Sequence, residues 1–193
     1  MALDFLNTLP VQNGEPAELL PDFSALVRWF KAADLLNARE AATLQQQWGQ
    51  STRGRRTVRA MWQLREMLRE EILAWEKGAA VRSSTVEELN KLMAHHPMRT
   101  RLSARRPGVC ATEFWFQPGQ PEELFAPLAH SAAMLFANSN RNRVRKCGQC
   151  VLHFNDTSKK GTRIWCSMGL CGNRIKVAAY AARKRGRAQK SLP

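Results

Sequence analysis

The sequence predicts a mainly α chain of α+β type in two modules. A helical N-terminal domain, residues 1–140, carries a small β-hairpin, and residues 141–193 form a four-cysteine module that ends in a basic helix. Three observations predict this. Apolar residues recur at helical spacing through the first module. Charge is divided unevenly: residues 141–193 hold 14 of the 30 Lys and Arg but only one of the 16 acids, Asp156, a net of +13 against +1 for residues 1–140. Four of the five cysteines fall in the same basic segment. With 193 residues, 44% of them apolar, the chain is long enough for one or two buried cores.

The elements follow in order. Asp22 is placed to cap a helix whose apolar stripe is Leu26, Trp29, Phe30, Ala33 and Leu36. A second stripe runs through Val58, Met61, Leu64, Leu68, Ile72 and Trp75, and Gly78 ends it. Thr85-Val86-Glu87-Glu88 has the form of a capping box and opens a short helix that carries Leu89, Leu92 and Met93 and stops before Pro97. Residues 99–104 and 110–116 flank Arg105-Arg106-Pro107-Gly108 and read as a hairpin, with Cys110 as a small buried apolar residue of its second strand. A further helix spans residues 122–138, with Pro127 tolerable near its first turn.

Some function classes are excluded at this stage. The opening Met1–Asn7 has neither the basic start nor the apolar run of a secretion signal, and no stretch offers the roughly 20 apolar residues of a membrane span. A cytoplasmic protein without a membrane partner is the expectation. No nucleophile, base and orienting acid occur in a recognisable arrangement, so no enzyme is expected.

The cysteines carry the strongest chemistry. Cys147 and Cys150 are separated by two residues, Cys166 and Cys171 by four, and fifteen residues lie between the pairs. A close pair delivers two thiolates from one tight turn, and two such turns complete the tetrahedral sulfur set that zinc prefers. Disulfides are the competing reading, disfavoured in a reducing compartment. One structural Zn2+ per chain is expected on Cys147, Cys150, Cys166 and Cys171. His153 is a rival ligand, otherwise an ordinary partly exposed histidine. A metal closed by four protein ligands has no open position at which to activate water, which counts against a nuclease.

After Cys171 the segment from Gly172 to Arg183 is rich in alanine and free of breakers, a good helix with its last metal ligand at the N-terminus. Ile175, Ala178, Ala179 and Ala182 are its expected packing face. Lys176, Tyr180, Arg183 and Arg187 form a basic stripe, widened by Arg174, Lys184 and Arg185. Such charge density points to a polyanion, with DNA favoured over a merely solvated tail. Asn173 and Arg174 are candidates for base contact, because each can make bidentate pairs. Lys176, Arg183, Lys184 and Arg185 are candidates for phosphate, with Lys159, Lys160 and Arg163 of the inter-pair loop. Trp165 is expected in packing and Asp156 in capping the turn at Thr157-Ser158 or orienting Arg174. In the first module Asp4, Asn7 and Trp29 are candidate ligand-binding residues, Asn7 also being suited to satisfying buried backbone.

Trp165-Cys166-Ser167-Met168 followed by Cys171-Gly172-Asn173-Arg174 resembles the signature of CGNR zinc-finger proteins, extending back through Gly161, Ser158, Asp156 and Phe154 to Cys150 and Cys147. Leu3-Asp4-Phe5-Leu6-Asn7-Thr8-Leu9 resembles the opening of the ABATE domain that precedes such a finger. The resemblance implies a stress-induced bacterial transcription regulator, with a treble-clef or zinc-ribbon-like finger binding DNA and an N-terminal domain sensing an unidentified small-molecule effector. Half-site geometry asks for a homodimer, although no coiled-coil heptad supplies one. Two other classes stay open: a zinc-stapled protein-interaction module, and an RNA-binding module, since Lys and Arg do not distinguish the two polymers.

Overall fold

The computed structural model describes residues 1–12 and 15–190, and the side chains of all of these except residues 12, 105, 115, 170, 175 and 184–190. In chain order, helix α1 (Ala2–Leu6) leads through the short strands β1 (Val11–Gln12) and β2 (Glu15–Pro16) into α2 (Phe23–Ala32), α3 (Ala38–Trp48), α4 (Thr52–Glu76) and α5 (Ser83–His95). The hairpin β3 (Arg99–Arg106) and β4 (Val109–Trp115) follows, then a 3-10 turn over Pro121–Leu124 and helix α6 (Phe125–Asn138). Strands β5 (Val144–Lys146) and β6 (His153–Asn155), a π-helical turn over Met168–Gly172 and helix α7 (Asn173–Lys190) complete the chain.

The body is built around α4. Ser51 accepts from the Gly54 N–H at 2.9 Å and starts the helix. The predicted stripe from Val58 to Trp75 is buried throughout. Gly78, at φ +106°, takes the left-handed conformation that turns the chain after the last residue of the stripe. Phe5 and Leu6 of α1, Leu26 and Phe30 of α2, and Leu128 and Ala129 of α6 close around it in one core. Each large apolar side chain so buried stabilises the fold by about 1.5–3 kcal/mol. Asp22 caps α2 through the Ala25 N–H at 2.7 Å, as predicted. Pro127 sits in the first turn of α6, where its missing N–H costs nothing.

Two buried polar clusters lock the core. Arg65, 2% exposed, forms a two-pronged pair with Glu18 and donates to the Thr8 hydroxyl at 2.8 Å. Burial acts to raise the Glu18 carboxyl, but the Arg65 guanidinium and the Leu20 N–H outweigh it and hold the group below its usual range. The second cluster corrects a prediction. Thr85 does not cap α5: the helix begins two residues earlier at Ser83, with Arg82 as its cap residue. The Thr85 hydroxyl instead donates to the buried Glu71 carboxylate of α4 at 2.6 Å, beside the Arg82 N–H and Nε. A buried carboxylate with three donors outweighs a local cap, and it ties the start of α5 to α4.

Other differences have similar causes. Helix α3 was not predicted, yet Asn37 and Glu40 form a reciprocal capping box at 2.9 Å in both directions. The hairpin turns more tightly than expected, at Pro107-Gly108, with an irregularity between Ala104 and Arg106. Cys110 is exposed rather than buried, because β3 and β4 form a sheet of two strands. Phe114 meets the body, its ring 4.3 Å from that of His130, yet remains more than half exposed.

Candidate metal centre and nucleic-acid interface

Strands β5 and β6 pair antiparallel, Val144 with Asn155 and Lys146 with His153, and bracket the first cysteine pair. The knuckle is closed by the Cys147 N–H donating to Leu152 C=O at 2.8 Å and the Gly148 N–H donating to Ile164 C=O at 3.0 Å. The second pair straddles the π-helical turn, where the N–H groups of Cys171 and Gly172 both donate to Ser167 C=O, at 3.1 and 2.9 Å. Gly172 is closely packed: a Cβ there would lie 2.6 Å from Met168 Sδ and 3.0 Å from Trp165 Nε1. Phe154 and Trp165 pack beneath the sulfurs as a small second core.

All four Sγ atoms lie within 4.8 Å of one another. Cys150 Sγ and Cys166 Sγ are 3.8 Å apart. A regular tetrahedron with Zn–S near 2.3 Å has an S···S edge of about 3.8 Å, so this donor set suits zinc, with the Cys150–Cys166 edge already at that length. Burial acts to raise the Cys147 thiol, but the N–H groups of Gln149, Cys166 and Cys150 aimed at its sulfur bring it down to about 7. Burial and the three neighbouring thiols push Cys171 up to about 12. The first thiolate forms readily and the last resists. A divalent cation removes that conflict, and the four cysteines hold one structural Zn2+.

The finger's scaffold uses arginines in a way the sequence reading missed. Arg143 Nη1 donates to Asp156 C=O at 3.0 Å and Ser158 C=O at 2.7 Å. Arg145 reaches the carbonyls of Asn142, Gly161 and Arg163 at 3.0, 2.9 and 3.3 Å. Their place immediately before Cys147 was the available signal, since a loop this short has few other donors. Asp156 is wholly buried and accepts from the N–H groups of Ser158 and Arg163, both at 2.9 Å. The Ser158 hydroxyl, with these amides, holds its carboxyl at about 2. Asp156 therefore organises the loop, as expected, through Thr157-Ser158 and not through Arg174.

His153 differs from expectation. It is 3% exposed, not at the surface, and stands outside the sulfur cluster, with Nε2 3.6 Å from Glu76 Oε1 of α4. It lies where the finger docks on the body. There the Asn7 side chain holds the His153 backbone at both ends, accepting from its N–H and donating to its C=O, each at 2.8 Å. Asn7 is thus committed to satisfying backbone, whereas Asp4 is exposed and Trp29 half-buried beside an apolar trough.

The predicted nucleic-acid residues divide into three groups. Asn173, Arg174, Lys176 and Arg183 are exposed along α7, and Lys159 and Lys160 are exposed on the inter-pair loop. Arg163 is turned inward: its guanidinium lies 4.5 Å over the Phe154 ring, and Nη2 donates to Asn155 C=O at 3.1 Å. The side chains of Lys184, Arg185 and Arg187 lie outside the described residues. The packing face predicted for α7 is corrected: Ala178, Ala179 and Ala182 are exposed, and Ile175 is outside the described side chains. The helix leaves the π turn with nothing among the described residues covering these alanines, so the residues that read as a seam are exposed.

A family model described as "Putative stress-induced transcription regulator", ABATE, matches residues 1–139, and a second, the CGNR zinc finger, matches residues 143–184. The chain belongs to the ABATE family. Its ABATE domain is the helical body, and its CGNR finger is the sulfur-centred module that begins at β5. None of the curated proteins matches the chain. No helix among the described residues is long and apolar enough to cross a membrane.

Proposed function

We propose that the chain is a cytoplasmic, non-enzymatic transcription regulator in which the CGNR finger presents α7 to DNA and the ABATE body senses a small-molecule effector. The observation that supports this most is the placement of α7. It starts two residues after the metal ligand Cys171, so zinc fixes its N-terminus, and it exposes Asn173, Arg174, Lys176, Tyr180 and Arg183. Cations along such a rod neutralise phosphates, while Arg174 and Asn173 near the anchored end reach base edges. If about five phosphates are neutralised, log affinity falls against log salt with a slope of about −4.5.

Genomic footprinting of the protein beside Arg174→Ala tests the reading. A shared sequence motif recovered only by the unmodified protein supports it; equal footprints, or affinity that ignores salt, count against it. One observation favours a second reading. Val177 and Tyr180 are 67% and 64% exposed one turn apart on α7, which suits a protein-docking surface. In that case Arg174→Ala alters assembly, and neither protein binds DNA. Competition between duplex DNA and structured RNA at one salt concentration separates the two polymers.

A further inference from the structure

Where finger meets body there is a cleft of about 550 Å3, and it runs into a trough of about 720 Å3. Met1, Asp4, Ser131 and Met134 line both, so the two spaces are limbs of one depression. The limbs differ in chemistry. The trough is walled by Trp29, Leu35, Met98, Phe114 and Pro127, all apolar. The cleft has α1 and α6 of the body on one side and Asn155, Arg163 and Cys166 of the finger on the other.

Among the described residues lining these limbs, Arg163 is the one Lys or Arg. Its guanidinium is half-buried at the cleft wall, with Nη2 donating to the Asn155 carbonyl and Phe154 holding the plane from below. His153, in the same wall, is buried with its Nε2 turned to Glu76 Oε1 of α4 at 3.6 Å. The Asp4 carboxylate, also on the rim, is 73% exposed and paired at 3.0 Å with the Met1 amine, so its charge faces solvent and not Arg163.

We infer that this depression binds an amphipathic anion, with an acyl or aromatic body along the trough and a carboxylate-type head at Arg163. Each limb taken singly is of the size that takes small-molecule ligands, roughly 300–1,000 Å3. The site rests on the effector-sensing half of the proposed function and locates it at the seam, not inside the body. An occupant touches α6 and α1 on one side and the segment carrying Cys166 on the other. It therefore favours the docked arrangement of the finger over any other.

The test uses the full-length, zinc-loaded protein without DNA, titrated by calorimetry with dodecanoate below its micelle concentration and with dodecanol as the neutral control. One saturable site is expected, with dodecanol weaker by about tenfold or more, since a charge-assisted pair is lost. Arg163→Gln brings dodecanoate down to the level of dodecanol. Met134→Glu, which places a like charge on the wall shared by both limbs, also weakens dodecanoate by about tenfold. Met134 is 45% exposed, so this variant stays folded and carries the test even if Arg163→Gln loses zinc. Amide exchange at His153 and Asn155 slows on binding. The inference is overturned by no saturable binding, by equal affinity for the alcohol, or by binding that Met134→Glu leaves unchanged. Because DNA is absent, a failed footprint leaves this result standing, and a failed titration leaves the footprint standing.

Discussion

Body and finger solve the same problem with different materials. The body buries Phe5, Leu26, Phe30, Met61, Leu68, Ile72 and Leu128 around a 25-residue helix and ties Arg65 to Glu18 and Glu71 to Arg82 inside it. Among the described residues the finger's own apolar cluster is small, with Cys147, Phe154 and Cys171 buried and Cys150, Trp165 and Cys166 against them. What replaces a core there is a metal and a set of arginine-to-carbonyl hydrogen bonds. A module with little apolar area cannot offset the entropy of ordering its chain, so it needs a cross-link. The basic character of the finger therefore has two sources. Arg143 and Arg145 hold the loop, while the outward residues of α7 and the loop remain for a partner.

The largest expected effect breaks the finger and spares the body. Zinc binding to small fingers is worth about 10–16 kcal/mol, all of it folding free energy. Removal of the metal by a strong chelator should collapse the amide signals of residues 144–172 while those of α4 persist in the same spectrum. Finger signals that survive metal loss would show that sulfur ligation is not what folds this module. The converse experiment is Leu68→Ala. It should destabilise the body by about 2–5 kcal/mol in urea unfolding and leave zinc content unchanged.

A smaller change tests the seam. Asn7→Ala leaves the His153 N–H and C=O without partners and should cost about 1–3 kcal/mol, read as faster amide exchange at His153 with α4 unaffected.

The smallest effect concerns pH. Burial pushes the Glu76 carboxyl up to about 7, against Lys146 and Lys77. Burial, with Arg69 and Lys146, pushes His153 down to about 4. Glu76 has a folded value above its ordinary 4.5, so its contribution is complete below that pH and is lost as pH rises through about 7. His153 has a folded value below its ordinary 6.5, so its contribution is complete above 6.5 and is lost as pH falls towards 4. Between these limits the two slopes oppose each other. Glu76→Gln removes the first, so the variant should melt a few degrees higher than the parent at pH 8, about 2–4 °C. That advantage should shrink towards pH 5, and a difference that does not vary with pH would contradict the assignment.

Legibility in the sequence followed the range of the interactions. The stripe from Val58 to Trp75 and the Asp22 cap depend on neighbours within a turn or two, and both were readable. The sulfur quartet was readable because metal ligands obey spacing rules even across fifteen intervening residues. Thr85 was misread because its partner is Glu71, on another helix. His153 and Asn7 were not connected because 146 residues separate them. Arg163 was placed among the phosphate contacts on charge alone, and nothing local signalled that Phe154 would lie beneath it. The alanines of α7 were misread in the opposite direction, since small residues at helical spacing describe a packing face whether or not anything packs there.

The pairing of Asn7 with His153 also sets an order of events during synthesis. Every residue from α1 through β6 must be made before Asn7 can reach the backbone it holds, so this contact forms after α1 has been able to meet α4 and α6. Until then Phe5 and Leu6 must shelter against α4 or a chaperone. A truncation that deletes the finger would accordingly leave a newborn body with a loose leading edge.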